Sequence, residues 1–89
     1  MHADNKNVIR LLKTVRGQVE GLIKMCEEDR DCIEISNQIL ASQSILKKIN
    51  FDILKGHFNH CIKEALEKGS SDCEQKIEEV IAVLNKMIK

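Results

Sequence analysis

Residues 31–68 read DCIEISNQILASQSILKKINFDILKGHFNHCIKEALEK, and this stretch decides the fold. It holds no proline, and apolar residues recur at helical spacing: Ile35, Ile39, Leu46, Ile49, Ile53, Leu54, Phe58, Ile62 and Leu66. That period predicts one long amphipathic helix and not strands. Gly56 is its interior weak point, at a cost of about 1 kcal/mol against alanine. With a rise of about 1.5 Å per residue, such a helix extends beyond about 50 Å.

Three candidate metal ligands sit on this helix. His57 and Cys61 are four residues apart, share one face and can chelate a single ion. Cys32 precedes His57 by 25 residues, which along an unbroken helix is about 37 Å. A metal–ligand bond is about 2–2.3 Å, so Cys32 cannot join His57 and Cys61 of its own chain. It can join those of a second, antiparallel chain, and two-fold symmetry then gives two equivalent sites. Two thiolates and an imidazole favour Cu(I) or zinc over magnesium or calcium. Three ligands suit Cu(I), whereas zinc wants a fourth. The plainer alternative is that the cysteines are small buried hydrophobes and His57 an ordinary histidine.

Outward from this stretch, the 89 residues make one domain, 1–89, that buries only a modest share of its surface. The roughly fifty remaining residues cannot cover so long a helix, which predicts a dimer or larger assembly. The chain is 43% hydrophobic and 31% charged, has no tryptophan or tyrosine and only two phenylalanines, so the core is aliphatic. Helix 1 is predicted from about Asn5 to Glu28 after a flexible start, with a stripe of Val8, Leu12, Val15, Val19, Leu22 and Cys26. This reading puts Cys26 in the core. Gly17 and Gly21 either permit close approach to helix 2 or are tolerated weak points. Asp29 or Asp31 is positioned to cap helix 2. Gly69 is a terminator, and Ser71-Asp72-Cys73-Glu74 fits a capping box opening a third helix to Ile88. Its stripe is Ile77, Val80, Ile81, Leu84 and Ile88. The expected fold class is all-α, a short–long–short three-helix protomer.

The net charge is zero, with 14 basic and 14 acidic side chains. No global field attracts nucleic acid, so any such case rests on distribution. Lys6, Arg10, Lys13 and Arg16 on helix 1 and Lys47 and Lys48 on helix 2 are candidates for a pooled positive face, or else an ordinary solvated surface. No signal-peptide pattern occurs, and no apolar run approaches the ~18 residues of a membrane span, which predicts a cytoplasmic protein. Four cysteines without a CxxC then read as reduced, catalytic or metal-binding. His60 points about 100° away from Cys61 around the helix and reads as solvated. His2 can reach a site from a mobile start, and Cys73 at a helix N-terminus is a candidate reactive thiol. With no phosphate loop, nucleophile elbow or paired carboxylates in a cleft, no catalytic residues are expected and the chain does not read as an enzyme.

Four motifs in order then resemble a known family. They are Arg16-Gly17-Gln18-Val19-Glu20-Gly21, Glu28-Asp29-Arg30-Asp31-Cys32-Ile33, Gln38-Ile39-Leu40-Ala41-Ser42 and His57-Phe58-Asn59-His60-Cys61. Together they are similar to the copper-sensing operon repressors (CsoR type) of the CsoR/RcnR family of bacterial metal and stress sensors, over about residues 8–88. The resemblance implies an antiparallel helical-bundle dimer through helix 2 and a dimer of dimers, that is, a homodimer and homotetramer. It implies a Cu(I) site of Cys32 with His57 and Cys61 of a neighbour, and operator DNA that is held metal-free and released on Cu(I). It implies Glu79 as the acid behind the ligands; for a DNA-binding repressor, Arg10, Lys13, Arg16, Lys47 and Lys48 of the basic face are the expected DNA contacts. The chain departs from the family where Asp31 replaces a common tyrosine and where Leu11 and Thr14 replace basic residues. Two residues are also inserted near Ser70-Ser71. The alternatives are a persulfide- or thiol-responsive repressor, a nickel, cobalt or zinc repressor of the same family, and a metal-storage bundle that does not bind DNA.

Overall fold

A computed structural model of the chain describes residues 1, 3–68 and 73–88, without the side chains of Lys68 and Cys73. His2, Gly69, Ser71, Asp72 and the Cys73 side chain, on which several expectations rest, lie outside the described residues. Three helices follow in order, α1 (Asn5–Glu27), α2 (Cys32–Lys68) and α3 (Cys73–Ile88), with no strand among the described residues. The long helix is therefore real, and it runs through Gly56 without interruption.

The turn between α1 and α2 is built from local hydrogen bonds. Asp4 opens α1, its side chain accepting from the Asn7 N–H at 3.3 Å. At the other end the Asp29 N–H bonds to the Cys26 carbonyl at 3.1 Å and the Arg30 N–H to that of Met25 at 3.0 Å. This Schellman pattern satisfies carbonyls that the helix end leaves open, and it requires a left-handed residue just past the cap. Asp29 supplies it with φ 55°, where glycine is the usual choice. Two residues later Asp31 Oδ2 accepts from the N–H groups of Ile33 and Glu34 at 3.1 and 3.2 Å. Of the two predicted caps for α2, Asp31 is the one used.

The chain divides into two compact units, Asp4–Phe51 and Met1–Ala3 with Asp52–Lys89. In the first, α1 and the first half of α2 make a hairpin. Val8, Leu11, Val15, Gln18, Leu22 and Met25 are its more buried line on α1, and Ile35, Gln38, Ser42, Ile45 and Ile49 the corresponding line on α2. Both lines alternate steps of three and four, the spacing of a coiled-coil seam. Of the α1 stripe expected from sequence, Val8, Val15 and Leu22 lie on this line, and the other three members are each one position off it. Leu12 and Val19 are 44% and 45% exposed, and Cys26, expected in the core, is exposed. The seam instead takes up Gln18, because Ser42, only 6% exposed, donates its hydroxyl to Gln18 Oε1 at 2.7 Å. A paired polar group can occupy a core position that an apolar count would not assign to it. Gly17 and Gly21 mark no close approach: a Cβ on either would meet nothing within 4 Å.

In the second unit, α3 packs on the second half of α2. Cys61 and Val80 are buried, with Ile77, Val83, Leu84 and Met87 partly so, while Ile81 and Ile88 are exposed. Around α2 as a whole, Ile39, Leu40, Leu46, Phe51, Ile62 and Leu66 keep large apolar surfaces open, Leu66 at 83%. Among the described residues no helix is long and apolar enough to cross a membrane.

Candidate metal centre and nucleic-acid face

The second half of α2 places His57 and Cys61 on one helical face, one turn apart. His57 is half-buried. Cys61 is 2% exposed and disulfide-bonded, whereas Cys26 and Cys32 are free and exposed. A sulfur bonded to sulfur has no thiolate to offer, so Cys61 can ligate a metal only after reduction. Cys32 stands in the first turn of α2, directly after its Asp31 cap. Among the described residues no group of three His, Cys, Asp or Glu side chains converges on a point. A single chain thus carries Cys32 in the first turn of α2 and the His57–Cys61 pair in its second half.

Two polar contacts lie on the neighbouring turn of α2 and on α3. His60, which the sequence reads as a solvated histidine, is half-buried, with Nε2 3.4 Å from Glu64 Oε1. Lys76 Nζ on α3 donates to Glu64 Oε2, also at 3.4 Å. Glu64 was not among the sequence candidates. The i, i+4 spacing to His60 was the available signal, but nothing in the sequence brings Lys76 to the same carboxylate. Glu79 is exposed on α3.

The candidate DNA residues lie in the other unit. Arg10, Lys13, Arg16, Lys47 and Lys48 are all exposed. The Gln18–Ser42 bond sets the antiparallel register of the hairpin, so Lys13 stands level with Lys47. Residues 5–19 and 43–51, the end of the hairpin away from its turn, hold Lys6, Arg10, Lys13, Arg16, Lys47 and Lys48 and no acidic side chain. Apart from the α1 cap Asp4, the acids of this unit gather toward the turn, at Glu20, Glu27, Glu28, Asp29, Asp31 and Glu34. A chain of zero net charge therefore carries a predominantly basic end. The Arg10 guanidinium is steadied by donating from Nη2 to Asn7 Oδ1 at 2.8 Å.

Known proteins of this architecture match throughout. The copper-sensing repressor CsoR of Bacillus subtilis is 36% identical over 86 residues, spanning 97% of this chain and 83% of that protein. The copper-sensing repressor RicR of Mycobacterium tuberculosis is 32% identical over 83 residues, 93% and 86% of the two chains. Among solved structures, the copper-sensing repressor CsoR with Cu(I) from Geobacillus thermodenitrificans superposes with a TM-score of 0.80 at 38% identity, covering 94% of this chain and 85% of that one. The nickel-responsive regulator InrS superposes with 0.79 at 27% identity, covering 97% and 94%. The family model for metal-sensitive transcriptional repressors matches residues 4–86, and the chain belongs to that family.

Proposed function

We propose that the protein is a Cu(I)-responsive transcriptional repressor, binding operator DNA when metal-free and leaving it when Cu(I) is bound. The observation that carries this reading is the division of donors along α2. A free, exposed Cys32 opens the helix and the His57–Cys61 pair lies in its second half, with no three-donor group among the described residues of one chain. Such half-sites complete each other across an antiparallel pair of α2 helices, which also covers the apolar faces left open at Leu40, Leu46 and Leu66. The donor set, two thiolates and one imidazole, suits the soft, low-coordinate Cu(I) ion. The relatives named as copper-sensing and the Cu(I)-bound neighbour agree with that choice.

Each residue has a task. Cys32 of one protomer and His57 and Cys61 of the other hold the ion, and by doing so fix the relative position of two chains. Arg10, Lys13, Arg16, Lys47 and Lys48 meet DNA phosphates, which makes binding steeply salt-dependent. Glu79 takes the outer position behind the ligands. Moving the population from about 1:99 to 99:1 requires about 5.5 kcal/mol of differential binding. Operator DNA must then weaken Cu(I) binding by the same factor that Cu(I) weakens DNA binding. A second reading is favoured by one observation, the bonded state of Cys61: a thiol-responsive repressor of the same family, switched by oxidation of sulfur.

Anaerobic titration of the reduced protein with Cu(I) against a competing chelator, with X-ray absorption on the product, separates them. One ion per protomer with two sulfurs and one nitrogen supports the copper reading. His57→Ala should then weaken Cu(I) by more than about a hundredfold, since losing even an outer-sphere partner costs 10–100-fold. Sulfur-only coordination unchanged by His57→Ala would favour the thiol-responsive reading.

A further inference from the structure

Glu64 lies three residues after Cys61 and seven after His57, so it shares their face of α2, one turn further on. Helical side chains lean toward the N-terminus, which carries its carboxylate back toward Cys61. Its two oxygens are divided between two helices. Oε1 faces His60 on α2 and Oε2 accepts from Lys76 on α3, each at 3.4 Å. The contacts join α3 to the same turn that bears the chelating pair.

We propose that Glu64 is the positioning residue that couples the metal-bearing turn of α2 to α3. This rests on the metal-responsive reading above and deepens it. Both contacts already stand at the long end of hydrogen-bond range. A small rearrangement of the His57–Cys61 turn therefore cannot leave both intact: either His60 or Lys76 loses the carboxylate, or α3 follows the turn. A carboxylate held on one helix alone would absorb the same movement by rotating in solvent. Glu64 is placed to transmit it, because Lys76 is one residue from Ile77, a half-buried part of the α3 packing surface.

The test is Glu64→Gln, which keeps the shape and removes the charge. Operator affinity is measured by fluorescence anisotropy with and without one Cu(I) per protomer, in reduced protein. Hydrogen exchange of α3 amides is followed in the metal-free state. The expected result is metal-free operator affinity near wild type, faster exchange in α3, and a metal-induced loss of DNA affinity smaller by about three- to tenfold. The charge-swapped pair Glu64→Lys with Lys76→Glu should recover at least half of the lost response on a logarithmic scale, where either single change does not. A merely structural ion pair would lower metal-free operator binding in Glu64→Gln as well, and the swap would restore that binding along with the response. A full metal response in Glu64→Gln, with wild type also responding, overturns this inference alone. No metal response in wild type overturns the functional reading and this inference with it.

Discussion

The two units of this chain share one helix and use it in opposite ways. Between Asp4 and Phe51, α2 contributes a regular seam, with aliphatic side chains at coiled-coil spacing, one internal polar pair and a turn closed by backbone hydrogen bonds and the Asp31 cap. Between Asp52 and Lys68, the same helix presents a disulfide-bonded sulfur, two imidazoles and a carboxylate within eight residues, His57 to Glu64. The first half is organised to hold still, and basic charge collects on its outer end. The second half is organised around groups whose protonation, oxidation or ligation can change. Function on this scaffold requires a stable half and a chemically responsive half, and one uninterrupted helix belongs to both.

That contrast can be broken most severely at Ile49. It is 4% exposed at the end of the hairpin seam. Ile49→Ala should cost about 3 kcal/mol in denaturant unfolding, since the cavity adds to the lost transfer energy. The folded variant should keep Cu(I) affinity within threefold of wild type in the same chelator competition. A parallel fall in metal affinity would show that the two halves are not separable.

The seam's polar pair offers a finer test. Ser42→Ala leaves Gln18 Oε1 without its donor, and should destabilise by about 1–2 kcal/mol. Adding Gln18→Leu should restore most of that loss, because removing both partners spares the desolvation penalty. A double variant no better than the single would mean that Ser42 acts through packing.

The smallest effect should be a gain. Asp29 holds φ 55° with an ordinary side chain, so Asp29→Gly should stabilise by about 0.5–1 kcal/mol. In a thermal melt that is a rise of about 4 °C. No rise would show that the aspartate is compensated by contacts of its own.

The length of α2, its Asp31 cap and the shared face of His57 and Cys61 were legible because each is a local pattern within a few turns of one helix. The helix 1 stripe was right at Val8, Val15 and Leu22 and misplaced at Leu12, Val19 and Cys26, because between the shared residues α1 offers two candidate positions one residue apart. Leu12 and Val19 are as apolar as anything in the seam, and only the pairing of Gln18 with Ser42 decides which line turns inward. Glu64 was overlooked for a related reason. Its partner Lys76 lies twelve residues on, past the end of α2, and nothing local to either residue announces the meeting. The motif set fixed the family, while Cys61 is the proposed ligand whose bonded state no motif describes.

The chain's thiols also differ in their reach to solvent. Cys26 and Cys32 are open, and Cys61 is enclosed and bonded. A bulky alkylating probe applied to the native protein should therefore mark the first two and pass over the third. Of the two marked residues, only Cys32 is a proposed ligand. Ligand occupancy would slow the labelling of Cys32 while Cys26 continues at its own pace. The protein thus contains a footprinting assay with its own internal reference, read by mass spectrometry of two peptides.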